Sequence, residues 1–344
     1  MTPSLPIYIR VDAGGGHGLG HVRRMAALAQ ALRHQGACAV TFVTQTPDAV
    51  RPSVAPLLGP GCALVTDPPL ETLLPPVAPG IWVLDRKPAY DQTAVKGLHT
   101  RGHQVVGIDD PAAAPGTYDL LVGPGCHWAP DTVQRLRTDF GACFLYGWDY
   151  VILPAEVTSQ APLPYAERQD GPIVFCTGGS DPEMALPQMW TWMCDSTLDA
   201  EQLFCVGELA QTDTMIRAWE AARRRAPRRV RVVPFSRQSL RHAALVVAMF
   251  GVTPYECLWY RTPTLMLAHT RENEEGANHL TIASYWANRS LGAIENMDEK
   301  SFTTILRAYW QDTDTRQRMH SASAALLDDQ GAARIATRIL ALAA

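Results

Sequence analysis

The sequence lacks paired cysteines, a dominant charge and long apolar runs. None of its eight cysteines forms a C-x-x-C pair, and they are scattered through apolar runs such as IVFC and LFCV. This usage favours free, buried thiols in a reducing compartment and gives little support to a zinc site. The formal net charge is only −4, so the basic footprint that broad nucleic-acid binding requires is missing.

Signals for membrane insertion and secretion are missing too. No apolar stretch approaches the length of a membrane span, and the opening MTPSLPIYIRVDAGG has no basic segment followed by an apolar run. We therefore expect a cytoplasmic protein with no integral membrane association and no nucleic-acid partner. With 344 residues, 47% of them hydrophobic, the chain is long enough for two domains with substantial cores.

Short β-branched or apolar runs alternate with helix-like stretches along the whole chain. The first half contains IYIRV, AVTFVT, IWVLD, QVVGID, LLVG and CFLYG, and the second contains PIVFC, LFCVG, VRVVPF, LVVAMFG and PTLMLA. This alternation indicates βαβ units and parallel sheets. We expect an α/β protein with doubly wound parallel sheets in domains 1–150 and 172–344, joined by a proline-rich linker at 151–171. Ligands should bind beyond the carboxyl ends of the strands, in a cleft between the domains.

A glycine-rich turn, VDAGGGHGLGHVRR, joins the first strand-like run to a helix-like run. The last glycine of a dinucleotide fingerprint is missing, and His21 and Val22 replace the lysine and hydroxyl of a P-loop. ATP–Mg²⁺ chemistry is therefore not expected. Bare glycine backbone and the positive end of the following helix still favour an anion such as a diphosphate.

His21 falls in the first turn of that helix. The apolar positions that should pack inward are Val22, Met25, Ala29 and Leu32. A helix N-terminus disfavours an imidazolium, so a neutral His21 can act as a general base, with Asp12 at the strand end orienting its ring. The alternative is a structural glycine turn capped by a histidine.

The segment IRVDAGGGHGLGHVRRMAALAQAL resembles a motif of the UDP-sugar hydrolase family of the pseudaminic acid pathway, R-x-D-x(n)-G-x-G-H-x-x-R. Spore coat polysaccharide proteins share this motif. The motif positions are Arg10, Asp12, Gly18, Gly20, His21 and Arg24. Further similarity follows in the same order at VVGIDDPAAAPGTYDLLV, IVFCTGGSDPEMAL and VTPYECLWYRTPTLMLAHTRENEEGANHL.

The resemblance implies the GT-B fold of MurG-type glycosyltransferases, with two Rossmann-like domains facing a central cleft. It implies neither metal nor cofactor, and a last helix that packs back on the first domain. The histidine that matches His21 activates the water that attacks the anomeric carbon.

Asp312-Thr313-Asp314 forms a D-x-D pattern, which we interpret as chance within a surface helix.

The resemblance also implies that the second domain binds the nucleotide. The implied contacts are Gly178, Gly179 and Ser180 in the TGGSDP turn, Phe235 beside the base, Gly251, Val252 and Thr253 at the diphosphate, Glu256 on the ribose, and Asn278 and His279 over the sugar-diphosphate. A carboxylate suits a vicinal diol because it accepts two O–H bonds. Val252 replaces the usual serine, so one hydroxyl contact is lost. An ordinary βα turn and a solvated glutamate are the alternatives.

The segment LDRKPAY departs from the family pattern, because Asp85 is kept but Lys87 stands where the hydrolases carry tyrosine. A lysine near the sugar implies an acidic or otherwise different sugar. The alternative is a lysine in a solvent-facing loop.

The sequence therefore predicts a nucleotide-sugar hydrolase, with a UDP-sugar as substrate. The first alternative is a GT-B glycosyltransferase in which His21 deprotonates an acceptor hydroxyl of a small molecule or glycan. The second is a non-catalytic nucleotide-sugar binding protein. Sequence favours an enzyme, because binding alone does not require His21.

Overall fold

The computed structural model describes residues 5–14, 18–37, 39–66, 78–85, 91–181, 184–193, 198–210 and 229–343. The chain divides into two compact units, the first formed by Met1–Ala155 with Asp328–Ala344 and the second by Glu156–Leu327. Most of the segment that the sequence suggests as a linker thus belongs to the second unit. The chain leaves the first unit, forms the second and returns to the first.

The described helices of both units range from four residues, in Ala155–Thr158, to 15 residues, in Gly20–His34. In chain order they are α1 (Gly20–His34), α2 (Pro47–Val54), α3 (Gln92–Thr100), α4 (Pro130–Phe140), α5 (Ala155–Thr158), α6 (Tyr165–Arg168), α7 (Ala185–Met193), α8 (Arg237–His242), α9 (Thr253–Tyr260), α10 (Arg271–Ala283), α11 (Glu299–Gln311), α12 (Thr313–Ala322) and α13 (Gly331–Leu340). In the part of the chain that is described, no helix is both long and apolar enough to cross a membrane.

The first unit contains a parallel sheet. Its strands are β1 (Ile7–Val11), β2 (Val40–Thr44), β3 (Cys62–Thr66), β4 (Ile81–Asp85), β5 (Gln104–Ile108), β6 (Leu120–Gly123) and β7 (Phe144–Tyr146). The spatial order is β3-β2-β1-β4-β5-β6-β7, so the strand order reverses between β1 and β4. Ligands of doubly wound sheets bind at such a switch point, beyond the carboxyl ends of the strands.

Helix α1 packs along this sheet through the residues that its periodicity predicts. Val22, Met25, Ala29 and Leu32 are fully buried, which confirms the expected inward face. Helix α13 packs against α1, with Ile335 and Ile339 in the same core cluster. Residues 331–340 are therefore part of the first unit's core, although they follow the whole second unit in sequence.

The second unit contains another parallel sheet with the same winding. Its strands are β8 (Ile173–Cys176), β9 (Gln202–Val206), β10 (Val230–Pro234), β11 (Leu245–Met249), β12 (Thr264–Ala268) and β13 (Asn288–Ala293). The order β10-β9-β8-β11-β12-β13 puts the switch point between β8 and β11. The expected α/β class with two doubly wound parallel sheets is confirmed.

Two features read from the sequence have a local structural explanation. Asp312 precedes α12 and its carboxylate accepts hydrogen bonds from the backbone N–H and hydroxyl of Thr315, so it caps that helix. The described cysteines are free thiols, at Cys62, Cys126, Cys143, Cys176, Cys205 and Cys257. Burial raises the pKa of Cys257 to about 12, which makes that thiol inert.

Candidate functional site

His21 and Asp85 form a short hydrogen bond at the switch point of the first sheet. Val11, the last residue of β1, pairs with Asp85, the last residue of β4, so the start of α1 lies beside the end of β4. His21 Nδ1 lies 2.6 Å from Asp85 Oδ1. The imidazole remains partly accessible, at 16% of its side-chain surface, whereas the Asp85 side chain is fully buried. This pairing holds the ring in one orientation.

The charge on Asp85 decides which ring nitrogen of His21 carries the proton. Burial alone would raise the pKa of Asp85, but Arg24 and His21 outweigh burial and hold that pKa below its ordinary value. A carboxylate only accepts hydrogen bonds, so Nδ1 donates to it and Nε2 of the neutral ring keeps its lone pair. Nε2 can then take a proton, and Asp85 stabilises the imidazolium that forms.

Asp12 does not orient His21, contrary to the sequence-based expectation. Its Oδ1 accepts from the backbone N–H of Gln45 at 2.7 Å, from the hydroxyl of Thr44 at 3.0 Å and from Arg10 Nη1 at 3.3 Å. The physical reason is the order of the strands. β1 lies between β2 and β4, and Asp12 bonds to residues at the end of β2 while His21 bonds to β4. Asp12 therefore ties two strand ends together.

Arg24 connects the His21–Asp85 pair to a second carboxylate. Its Nε and Nη2 donate to the two oxygens of Asp85 at 2.7 and 2.6 Å, and its Nη1 and Nη2 donate to Asp109 Oδ2 at 3.2 Å. Burial alone would lower the pKa of Arg24, but the carboxylates raise it, so the guanidinium stays charged. Only 8% of Arg24 is exposed, and its donors are used by these carboxylates rather than directed at solvent.

His127 lies at the far end of this network and was not identified from the sequence. Its Nε2 lies 3.2 Å from Asp109 Oδ1, which also accepts from Trp128 Nε1 at 3.3 Å. Asp109 follows β5 and adopts a left-handed backbone with φ of 62°, a conformation that non-glycine residues adopt at some energetic cost. The network His21–Asp85–Arg24–Asp109–His127 therefore runs along the carboxyl ends of neighbouring strands. The signal in the sequence that could have indicated this network is the polar pair Asp109-Asp110, which directly follows a buried strand.

The glycine turn is described in part. Gly14 and Gly18 have positive φ values of 82° and 64°, and the Gly14 N–H donates to the Gly18 carbonyl at 3.1 Å. Gly20 begins α1, and Leu19 at its N-cap offers no side-chain hydrogen bond to the first turn. His17 of this turn lies outside the described residues. Lys87, in the segment that follows β4, also lies outside them.

In the second unit, the TGGSDP turn and the start of α9 lie side by side at the switch point. Cys176 pairs with Ala248, which brings the ends of β8 and β11 together. Gly178 has a φ of 84°, and a Cβ built on it would lie 3.7 Å from the hydroxyl oxygen of Thr253. Val252 is the N-cap of α9 and supplies no capping hydrogen bond. The turn therefore faces the start of α9, where the N-cap residue makes no capping hydrogen bond.

The TGGSDP turn packs closely against Gly207, a residue that was not identified from the sequence. A Cβ at Gly207, just after β9, would lie 2.2 Å from the Gly178 carbonyl oxygen, a separation that real atoms do not reach. The Leu209 N–H donates to the Gly179 carbonyl at 2.9 Å. Asp181 accepts from the N–H groups of Ala185 and Leu186, both at 2.9 Å, so it caps α7. Gly207 and Asp181 thus fix the turn from its two sides.

Glu256 is a buried carboxylate one turn into α9. It is 4% exposed, and Arg237 Nε donates to its Oε1 at 3.1 Å. The Phe235 N–H, two residues before Arg237, donates to the Val206 carbonyl at 2.9 Å, which places the VPFSR loop at the same edge of the sheet. Arg237 was not predicted as a site residue. It satisfies one oxygen of Glu256.

The remaining predicted residues lie on α10 and in the turn. Asn278 is exposed and His279 half-buried on α10, the helix that follows β12, and Ser180 is half-buried. Glu274 lies beside Gly292 of β13, and a Cβ at that glycine would be 3.4 Å from the Glu274 Oε1. Gly251 has open space around it, so its backbone is accessible.

No protein-family model matches the chain. A search of curated proteins finds no match either.

Solved structures, in contrast, match the chain over almost its whole length. MurG from Acinetobacter baumannii is 14% identical with a TM-score of 0.62, covering 97% of this chain and 99% of MurG. A UDP-N-acetylglucosamine 2-epimerase is 12% identical with a TM-score of 0.63, covering 98% and 96% of the two chains. Anabaena Alr3699/HepE, solved in complex with UDP-glucose, is 11% identical with a TM-score of 0.60, covering 98% and 100%.

At these identities the likeness concerns the fold. The chain has two parallel sheets with the same winding, and the structures that match it include MurG and the glycosyltransferase CalG4. The chain therefore has the GT-B fold.

Proposed function

We propose that the chain hydrolyses a nucleotide-sugar, with UDP as the nucleotide, and that His21 is the general base. The observation that carries the proposal is the 2.6 Å hydrogen bond between His21 and the buried, ionised Asp85. It gives the ring the tautomer of a base, with Nε2 free to accept a proton. Neighbours in fold that are named for UDP-sugar chemistry supply the substrate class.

The proposed step balances as a simple displacement. The oxygen of a water molecule attacks the anomeric carbon while its proton passes to Nε2 of His21. The bond between that carbon and the phosphate oxygen breaks, and UDP leaves with the electron pair. Asp85 stabilises the imidazolium, and Arg24, held by Asp85 and Asp109, keeps the pair in place. The products are UDP and the free sugar.

The proposed nucleotide contacts all lie in the second unit. The Gly178–Ser180 turn and the Thr253 N–H at the start of α9 would donate to the diphosphate, since Pro254 has no N–H and the Tyr255 N–H donates to the Val252 carbonyl at 2.9 Å. The Thr177 hydroxyl is buried without a hydrogen-bond partner in the described structure, which is consistent with a ligand contact nearby. Glu256 keeps one carboxylate oxygen free of Arg237 and would accept from the ribose hydroxyls.

A glycosyltransferase is the second candidate, because the same His21–Asp85 pair can deprotonate an acceptor hydroxyl instead of water. Glycosyltransferases are among the structures of similar fold, including CalG4. The reaction differs only in the nucleophile. The acceptor would be a small molecule or a glycan that enters where the water otherwise attacks.

The test is product analysis by mass after mixing the protein with a panel of UDP-sugars, with and without acceptors. Free sugar supports the hydrolase, UDP release that depends on an acceptor supports the transferase, and binding without turnover contradicts both. His21→Ala should lower kcat by about 10²–10⁴-fold, the usual share of a general base. His17→Ala, in the same loop, is the matched control and should retain turnover.

A calorimetric titration with UDP tests the nucleotide half of the proposal separately. Glu256→Ala should weaken UDP binding by about 1.5–3 kcal/mol, the range for a hydrogen bond to a charged group. His21→Ala should leave UDP affinity nearly unchanged, because the proposed nucleotide contacts lie in the other unit. Unchanged UDP affinity in Glu256→Ala would remove that residue from the site.

A further inference from the structure

An exposed hydrophobic cluster lies at the end of α10, away from the residues discussed so far. Ile282, Tyr285 and Trp286 are 66%, 73% and 54% exposed, and each is a large hydrophobic side chain. They precede β13, so they lie at the amino edge of the second sheet, whereas Gly178 and Thr253 lie at its carboxyl edge. An apolar group this accessible is unusual on a surface with no partner.

The backbone that displays these rings is strained. The Tyr285 N–H donates to the Ile282 carbonyl at 3.1 Å and the Trp286 N–H to the Thr281 carbonyl at 3.0 Å, which is the Schellman ending of a helix. That ending places a left-handed residue after the C-cap, where glycine is usual. Here Tyr285 and Trp286 both adopt left-handed conformations, with φ of 51° and 66°. Packing does not explain two bulky aromatics at such positions, because most of each side chain is in solvent.

Two arginines lie near the rings. The Arg289 guanidinium lies 4.4 Å above the Trp286 ring, a cation–π contact. A shallow cavity of about 350 Å³ adjoins them, and its lining also includes Tyr309, Arg318 and Met319. Both charged residues of the described lining are arginines, Arg289 and Arg318. The nearby Asp312 carboxylate is engaged in capping α12, where it accepts from Thr315.

We propose that this face, formed by Ile282, Tyr285, Trp286, Arg289 and Arg318, docks on the surface of an anionic lipid bilayer. Tyrosine and tryptophan favour the interface between headgroups and acyl chains, where a ring enters the apolar layer and its polar edge stays wet. Arginines beside them reach the phosphates, and their alkyl stems add apolar contact. Charge complementarity selects an anionic surface over a neutral one. Docking at the amino edge of the sheet leaves its carboxyl edge accessible.

Sedimentation with lipid vesicles tests the proposal, using phosphatidylcholine alone or mixed with phosphatidylglycerol. The full chain should bind the mixed vesicles, bind phosphatidylcholine weakly and dissociate in high salt. Arg289→Gln with Arg318→Gln should lower the partition coefficient by about 25-fold, from about fivefold per arginine. Tyr285→Ser with Trp286→Ser should lower it by about tenfold or more. The matched control, Val65→Ser with Arg51→Gln, removes an exposed valine and an exposed arginine elsewhere and should bind as the wild type does.

A glycine substitution separates a surface role of the ring from a structural one. Tyr285→Gly relieves the left-handed strain, so it should raise Tm by about 2–4 °C while weakening vesicle binding. The proposal is overturned if the wild-type chain ignores anionic vesicles, if the arginine or aromatic variants bind them unchanged, or if Tyr285→Gly retains full binding. Concentration-dependent dimerisation that the aromatic variants abolish, without vesicle binding, would assign the face to a second copy of the chain and also overturn it.

Discussion

Asp85, rather than Asp12, is the carboxylate on which the His21 tautomer depends. Asp85→Asn keeps the size of the side chain but offers an amide that can donate, so it favours a ring whose Nδ1 lacks the proton. We expect kcat to fall by about 10²–10⁴-fold, with UDP affinity retained. Asp12→Asn is the matched control, since Asp12 contacts Thr44 and Gln45 rather than the imidazole. Turnover of Asp85→Asn at the wild-type rate would separate Asp85 from the chemistry.

The ionisation of Asp85 should also make the free energy of unfolding depend on pH. Its pKa in the folded chain lies below the ordinary value of 3.8 because Arg24 and His21 together outweigh burial. A depressed folded pKa means that the unfolded chain binds the proton more readily, so the ion pair stabilises the fold above about pH 4 and is lost as pH falls through the folded pKa. Urea midpoints between pH 7 and pH 2 should therefore fall less steeply in Asp85→Asn than in the wild type. Parallel curves would mean that this carboxylate does not contribute to the acid transition.

His127 acts on the base through Asp109 and Arg24, so we expect it to position rather than to react. His127→Ala should lower kcat by about tenfold, corresponding to a coupling of about 1.4 kcal/mol between side chains of one network. His127→Gln keeps an N–H that can reach Asp109 and should recover most of that loss. A glutamine variant as impaired as the alanine variant would instead indicate that the imidazole itself takes part.

At the scale of elements, two glycines at the same sheet edge should respond differently to alanine. Gly207 packs against the Gly178–Gly179 backbone, and a Cβ added at this position would overlap the Gly178 carbonyl oxygen. Gly207→Ala should therefore destabilise the folded chain by about 1–3 kcal/mol. Gly251 has open space, so Gly251→Ala should unfold at the wild-type temperature yet bind UDP more weakly if the diphosphate lies against its backbone. Calorimetry of unfolding and of UDP binding measures both effects. Equal stability of the two variants would contradict the overlap.

The sequence predicts elements better than it predicts the contacts between them. The strand-like runs and the inward face of α1 follow from periodicity alone, because a helix or strand buries one face whatever its neighbours are. The partner of His21 does not follow, since it depends on β4 lying beside β1, and the order of strands is a property of the whole sheet. Arg237 and Gly207 were missed for the same reason. Their roles arise where loops from separate strands meet, and no local pattern marks them.

At the scale of the whole molecule, the second unit is continuous in sequence and the first is not. Residues 156–327 expressed alone should fold and bind UDP, because the unit's core and the proposed nucleotide contacts lie within that range. Residues 1–155 alone should fail to fold, because Ile335 and Ile339 of α13 are fully buried in the first core. Adding a peptide of residues 328–344 should restore a cooperative transition, measured by circular dichroism. A stable, cooperative 1–155 fragment would contradict this assignment.

The placement of α13 also affects how the chain folds during its synthesis on the ribosome. Domains commonly fold in order of synthesis, the earliest first. Here the earliest half must wait for its closing helix while about 190 further residues are made, roughly 10–40 s at ordinary translation speeds. The later half can complete itself in the meantime. The segment made first is thus the one exposed longest, and it is where the nascent chain would most need protection by a chaperone.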